Sequence, residues 1–297
     1  MTVIERILAP EGPLQARCFF LARRFVAGES IDAALAAVGR LNDAGMRATL
    51  DFLGEDVRDL REAERTRDQY VALLDALARS GLESNVSLKL SAFGLLVELA
   101  ACERLVEEVV ERASSLADPF VRIDMEGSAL TTATLELFER IFARRRNLGP
   151  VIQAALRRSP DDVARLIALG ARVRLCKGAY REPRALAYPE PDEIRRAYLR
   201  LAESLLAEGT LPAIATHDER VIAAVKTFAR ERRIDSQRFE FQQLYGVRPD
   251  LQRALVREGY RVRVYVPYGT HWAAYFYRRV TERRANLLFA LRSLLGR

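Results

Sequence analysis

Eight short β-prone runs, alternating with stretches of helical apolar spacing and joined by no Pro/Gly/Ser-rich linker, predict an α/β fold: a distorted (β/α)8 TIM-type barrel. The runs are "MRATLDF" from Met46, "VSLKLS" from Val86, "FVRIDM" from Phe120, "VIQAA" from Val151, "RVRLCK" from Arg172, "AIAT" from Ala213, "FEFQQL" from Phe239 and "RVRVYV" from Arg261. A chain of 297 residues, 49% hydrophobic, can bury such a core, since barrels of about 250 residues are common single domains. One domain is expected over 1–297, with N-terminal helices in 1–45 and the barrel in 46–297.

Taken in order, "LQARCFFLARRFV" and "SIDAALAAVGRLNDAG" predict extra helices ahead of the first strand. Between the strands, "RDQYVALLDALARSG", "ERLVEEVVERASS", "SPDDVARLIALG" and "PDEIRRAYLRLAESLLAEG" place apolar residues at i, i+3, i+4 and i+7. Ser159-Pro160-Asp161-Asp162 reads as a helix start, and Gly81, Gly170 and Gly209 read as stops. Residues 271–283, "HWAAYFYRRVTER", predict the eighth barrel helix.

Composition excludes several classes. Forty acidic residues nearly match 47 basic ones and are interspersed with them along the helices, so the formal charge of +7 describes solvated faces and not a nucleic-acid surface. Cys18, Cys102 and Cys176 form no CxxC pair, and no apolar run approaches the roughly 18 residues a membrane span needs. With no signal-peptide core at the N-terminus, a soluble cytoplasmic protein is expected. Lysine is used only at Lys89, Lys177 and Lys226, which leaves 44 of the 47 basic residues as arginine and marks each lysine as a special position.

Strand phase carries the first functional information. Side chains alternate along a strand, and helices cover the outside of a barrel, so Val86, Leu88, Val121, Ile123, Val262 and Val264 are expected to face out. Arg47, Asp51, Lys89, Arg122, Asp124, Arg172, Arg174, Glu240, Gln242 and Arg263 then face in, where most barrels carry branched apolar residues. Buried charge costs several kcal/mol per ion unless paired, on the order given by desolvation. Internal salt bridges in the lower half and a large polar cofactor in the upper half account for this pattern.

Active sites of such barrels lie where the strands finish. That places Asp51 with Glu55, Lys89, Asp124 with Glu126, Gln153, Arg174, Cys176, Lys177, Gly178, Tyr180, Thr216, His217, Gln242 and Tyr265 at one mouth. His217 and His271 lack carboxylates at ligand spacing, so no metal site is expected. GxSxG, a P-loop and GxGxxG are absent, which excludes nicotinamide binding in the doubly wound manner. "THDER" opens a helix whose N-terminus, with Thr216 as cap and Lys177 and Arg174 nearby, suits a phosphate, although simple capping is the favoured reading of such a sequence taken alone. In the predicted last helix, Tyr275, Arg278, Arg279 and Glu282 share one stripe. Two guanidinium groups beside an aromatic suit a small carboxylate, and a solvated Arg pair is the alternative.

The segments "VSLKLS", "RIDMEG", "VIQAALR", "RLCKGAYRE", "ATHDE", "FEFQQLYG" and "YVPYGTHWAAYFYRRVTER", in this order, resemble the barrel of flavin-dependent proline dehydrogenases in their single-function bacterial form. The resemblance runs from about Asp51 to the C-terminus. It implies that Lys89, Arg278 and Arg279 hold the carboxylate of L-proline, that Tyr180, Leu244, Tyr265 and Tyr275 enclose the ring, and that Asp124 orients the basic groups. It further implies FAD contacts from Asp124, Gln153, Arg174, Cys176, Lys177, Gly178, Thr216, His217, Gln242 and Glu282, a catalytic set of Lys89, Asp124, Arg174 and Tyr275, and Glu55 near the mouth. Cys176 stands where the family pattern has valine.

The activity so implied is oxidation of proline to Δ1-pyrroline-5-carboxylate, hydride passing from C5 to flavin N5 and electrons then to a quinone. A quinone acceptor brings peripheral contact with the inner face of a membrane, for which the tail "NLLFALRSLLGR" is apolar and basic enough, packing on the barrel being its favoured alternative. The competing chemistry is a class I aldolase-like barrel with Lys89 as Schiff-base nucleophile between Asp51 and Asp124. Oligomeric state is not legible.

Overall fold

The computed structural model describes residues 19–20, 22–54, 56–180, 182–273 and 275–276. Eight parallel strands close on themselves in sequence order: β1 (Arg47–Phe52), β2 (Ser84–Lys89), β3 (Val121–Asp124), β4 (Leu148–Gln153), β5 (Arg174–Cys176), β6 (Ala213–Ala215), β7 (Glu240–Leu244) and β8 (Arg261–Tyr268). Closure is made by β8 on β1, in register from Arg47↔Arg263 to Phe52↔Tyr268. Each predicted run overlaps a strand, and the boundaries move for tertiary reasons. β2 starts early, at Ser84 and Asn85, because both residues pair with Ala48 and Thr49 of β1, overriding their poor strand propensity. Its predicted end, Leu90 and Ser91, instead turns into a 3-10 segment, Leu90–Phe93.

Helices cover the outside: α1 (Ile31–Asp43), α2 (Leu60–Ser80), α3 (Leu99–Arg112), α4 (Ser128–Phe142), α5 (Ser159–Ala168), α6 (Pro191–Glu208), α7 (Glu219–Glu231) and α8 (Pro249–Arg257). α2 shows how they are held. Asp59 caps it by accepting from Glu62 N at 2.9 Å, and Gly81 ends it in the left-handed region at φ 67°. One face buries Tyr70, Leu73, Leu74 and Leu77, each such side chain contributing about 1.5–3 kcal/mol. The Tyr70 hydroxyl donates to the Ser87 carbonyl at 2.6 Å, tying the helix to β2.

Two expected helix signals fall where they were expected, each with its own local geometry. Ser159 does not cap α5: it is the first helical residue, and its hydroxyl donates to Gln153 O at 2.6 Å, fastening the helix to the end of β4. Gly209 follows α6 in extended backbone, φ −79°, so it stops the helix without a left-handed turn.

The larger correction concerns the eighth barrel helix. α1, whose stripe buries Ala34, Ala37, Val38 and Leu41, packs on β1 and β8, in the outer slot that the predicted last helix would fill. Trp272, Ala273 and Tyr275 instead join Ala22, Val26 and Leu53, with Phe19, Phe25, Tyr265 and Phe276 packed around them. An apolar stripe lying ahead of β1 in the chain takes that slot, while Trp272, Ala273, Tyr275 and Phe276, helical as expected, pack on the segment around Ala22 and Val26; the rest of the expected helix lies outside the described residues.

A strap of residues 22–29 is sewn to the barrel mouth. Ala27 N donates to Pro267 O, and Gly269 N to Gly28 O, both at 2.9 Å. Trp272 Nε1 donates to Glu29 Oε1 at 3.0 Å. Gly246, at φ 72°, lies so close that a Cβ there would stand 1.7 Å from the Arg24 carbonyl oxygen.

The interior is charged, as strand phase predicts. In the lower half, Arg263 donates to Glu240 from Nε (2.9 Å) and Nη2 (3.2 Å), reaches Asp118 at 2.8 Å, and gives Nη1 to the Ala48 carbonyl at 2.8 Å. Arg122, fully buried, donates to the carbonyls of Pro150 and Arg172 and lies 4.7 Å over the Phe120 ring. Burial, and then Arg174 and Arg172, push the Arg122 guanidinium well below its usual range.

Burial alone would raise the Glu240 carboxyl, but the charge and hydrogen bonds of Arg263 reverse this and hold it at about 2, against 4.5 ordinarily. A lowered carboxyl contributes stability that is complete above pH 4.5 and is lost as pH falls toward about 2. Two and a half units correspond to about 3 kcal/mol. Urea unfolding of Glu240→Gln should therefore show about 3 kcal/mol less pH dependence across that window than the wild type. Gly246→Ala should lower the thermal midpoint and make residues 22–29 more sensitive to protease, because backbone must move to admit the methyl group.

Candidate active site

The mouth at the carboxyl ends of the strands gathers nearly all of the expected residues. β1 and β2 finish with Asp51 and Lys89, whose ammonium donates to both carboxylate oxygens at 2.8 and 3.0 Å. Burial raises the Asp51 carboxyl, Lys89 opposes this, and the carboxylate of Asp124 adds to it. Asp124, at the end of β3 and in register with Lys89, receives two donors. Arg174 Nη1 reaches Oδ1 at 2.7 Å and the Tyr265 hydroxyl reaches Oδ2 at 2.8 Å. Burial, with Asp124 and Asp51 nearby, pushes the Tyr265 phenol well above its usual range, so it stays a proton donor.

Arg174 is the hub. Its other two nitrogens go to Gln242 Oε1 and, at 3.0 Å, to the Ser87 hydroxyl. Its guanidinium carbon lies 5.5 Å from the centroid of the Tyr265 ring. β5, β7, β2 and β3 thus each supply one corner of a buried network.

On the opposite side, Gln153 Nε2 donates to the Glu126 carbonyl at 2.9 Å. The carbonyls of Cys176 and Lys177 accept from Ala154 N and Ala155 N at 2.8 and 2.9 Å, which carries β5 past its end as bare backbone. Gly178 follows at φ 106°, where a Cβ would lie 3.1 Å from Gln153 Oε1 and 3.2 Å from the Ala155 methyl. A flat group can approach the backbone here only because the side chain is missing.

The start of α7 is not the open anion site that "THDER" suggests. Asp218 is the cap, accepting from Arg220 N at 3.0 Å, and Thr216 Oγ1 accepts from Asp218 N at 3.0 Å. Lys177 lies at that helix start as expected, but its ammonium pairs with Asp218 at 2.9 Å, with Arg195 adding a second bond at 3.2 Å. Burial raises the Asp218 carboxyl, and the bond to Lys177 and its charge overcome this, leaving it at about 2. A carboxylate occupies the position where a phosphate would be most favoured. His217 Nε2 accepts from Leu244 N at 3.0 Å, which makes Nδ1 the protonated nitrogen of a neutral ring. Leu244 and Tyr265 are register partners, side by side at the mouth.

Tyr275 is buried in the cluster that also holds Tyr265, while Tyr180 is exposed at 38%. The loop carrying Tyr180 is fixed by Glu182, which accepts from Ser128 N at 2.8 Å. Arg278, Arg279, Glu282 and Glu55 lie outside the described residues, as does the C-terminal tail.

Sequence reading placed Glu126 at the strand ends but left Ser87 and Glu240 out of the contact sets. Ser87 is inward by phase, and its small hydroxyl gave no signal of its own. Glu126 is buried and accepts from Ser91 N at 3.1 Å and from the Ser91 hydroxyl, a contact across 35 residues that no local pattern announces. Among the described residues no group of His, Cys, Asp and Glu could hold a metal ion, and no helix is long and apolar enough to cross a membrane.

Comparison with known proteins converges on one family. The family model described as proline dehydrogenase matches residues 34–292. Proline dehydrogenase 1 of Bacillus subtilis (strain 168) is 41% identical over 275 residues, covering 92% of this chain and 90% of that protein. Proline dehydrogenase of Deinococcus radiodurans is 38% identical over 304 residues, covering 99% and 96%. Among solved structures, proline utilization A (PutA) from Bdellovibrio bacteriovorus, inactivated by N-propargylglycine, superposes with a TM-score of 0.84 at 26% identity. The match covers 95% of this chain and 34% of that one, so the chain spans about a third of that longer protein. With a family model matched from residue 34 to 292 and two relatives aligned over nine-tenths or more of both chains, this protein belongs to the proline dehydrogenase family.

Proposed function

We propose that this protein oxidises L-proline to Δ1-pyrroline-5-carboxylate with FAD as the bound oxidant. The observation that carries the reading is the buried network of Lys89 on Asp51 and of Arg174 and Tyr265 on Asp124, set at the strand ends of a barrel of this family. When bound, FAD supplies the two-electron acceptor for hydride leaving proline C5. The residues fit such a group. Gly178 offers backbone approach beside the Gln153 amide, the residues after β5 present backbone, and Arg174 provides a fixed cation. Gln153, Arg174, Cys176, Lys177, Gly178, Thr216, His217, Gln242 and Glu282 would hold it.

For the substrate, Lys89 offers an ammonium whose position is set by two bonds to Asp51, and Arg278 and Arg279 would complete the carboxylate clamp. Tyr265 and Tyr275, packed in one apolar cluster, would cover the ring together with Leu244 and Tyr180. Holding the carboxylate at one end and the ring against tyrosines at the other orients C5 and excludes water, which accounts for rate through positioning. The Schiff-base alternative loses support, because an ammonium bound by a buried carboxylate is not a free amine nucleophile and the family relatives carry dehydrogenase names. A quinone as electron acceptor, with peripheral contact at a membrane, is the part of the reading supported by the family resemblance alone.

Purified protein should be yellow, and L-proline added without oxygen should bleach it. A colourless protein with no affinity for added flavin would overturn the reading. Lys89→Met and Arg278→Met should each raise the proline KM by about tenfold or more while FAD content stays that of the wild type, as expected for a carboxylate partner. In Lys89→Met the Asp51 carboxyl, already raised by burial, loses the ammonium that opposes the rise, which favours its neutral form.

A further inference from the structure

We propose that Glu240, which belongs to none of the expected contact sets, is a positioning residue that fixes the orientation of Gln242 and through it the guanidinium of Arg174. The inference rests on the reading of Arg174 as a group facing the cofactor.

A glutamine amide has two ends of nearly equal shape, one donating and one accepting, so its neighbours decide which way it points. Below Gln242 lies Glu240, buried and ionised because Arg263 binds both its oxygens. A carboxylate only accepts, so the amide NH2 must face it, and Gln242 Nε2 does donate to Glu240 Oε1. The amide oxygen is thereby turned upward, where Arg174 Nε donates to it. Reversing the amide would set its oxygen against the carboxylate and its NH2 against the guanidinium, two repulsive contacts in a dry site. With Nη1 on Asp124 and Nη2 on Ser87, the bond to Gln242 completes the fixing of the Arg174 plane. An unbroken polar chain therefore runs from Asp118 through Arg263, Glu240 and Gln242 to Arg174 and Asp124.

Glutamine at position 240 would offer a donor as readily as an acceptor, removing the reason for one amide orientation. Arg263 would keep Asp118 and the Ala48 carbonyl, so its charge is not stranded. The Glu240→Gln holoenzyme should show a lower midpoint potential for the bound flavin, because a cation that is no longer fixed stabilises the reduced form less. Its kcat should fall by about tenfold, with the proline KM within about twofold of wild type.

The test is a double-mutant cycle with Arg174→Gln, read in both midpoint potential and kcat. If Glu240 acts through Arg174, the double variant should be no worse than about twofold below Arg174→Gln alone. Effects that add, or a Glu240→Gln enzyme with unchanged potential and kcat, would overturn the positioning role while leaving the Arg174 reading intact. An Arg174→Gln enzyme with unaltered potential and turnover would instead overturn the Arg174 reading, and this inference with it. Should Glu240→Gln fail to fold, the same cycle run on Glu240→Gln/Arg263→Met, which removes the buried ion pair as a unit, decides the question by the same criteria.

Discussion

The Arg263–Glu240 ion pair is the contact on which the barrel's charged interior depends. Most barrels fill their core with branched aliphatic side chains and need no electrostatic arrangement inside. Here the third residue of β8 and the first of β7 bring arginine and glutamate together without water, where either alone would be untenable. The pair would be replaceable by apolar residues at little cost or even with a gain in stability. What such a replacement would lose is an ionised acceptor below Gln242, and with it a reason for the polar layer above to adopt one arrangement.

That upper layer is organised by sharing. Asp124 divides its two oxygens between Arg174 and Tyr265, and Lys89 spends two donors on Asp51. Within this network two cations balance two carboxylates. In the proposed reading, the extra positive charge that attracts a carboxylate would come from Arg278 and Arg279, beyond the strand ends.

The fold was legible because two periodicities, 2 and 3.6, alternated eight times, and the charged phase of each strand could be assigned by asking which face the helices cover. Lys89, Asp124, Arg174, Gln242 and Tyr265 followed from that phase and lie together in the structure. What escaped was non-local. Which helix fills the slot beside β8 depends on competition between α1 and the segment from His271, and the apolar stripe of each looks equally suitable in isolation. The role of Ser159 changed because a carbonyl at the end of β4 competes for its hydroxyl. "THDER" suggested an anion site because its own Asp218 was read as part of a helix start, not as the counter-ion of Lys177, 41 residues earlier.

The placement of α1 has a consequence for how the chain assembles during synthesis. α1 and β1 are made first, yet the strand that covers them both, β8, is completed only at Tyr268. Until then one edge of β1 has no partner and, of the two strands, α1 can dock only on β1, and the closing contact spans more than 200 residues. Such long-range closure is slow and exposes a strand edge while it waits. Vectorial synthesis therefore leaves this barrel open to mispairing for most of its translation, and fast docking of α1 on β1 is the step that would shield it.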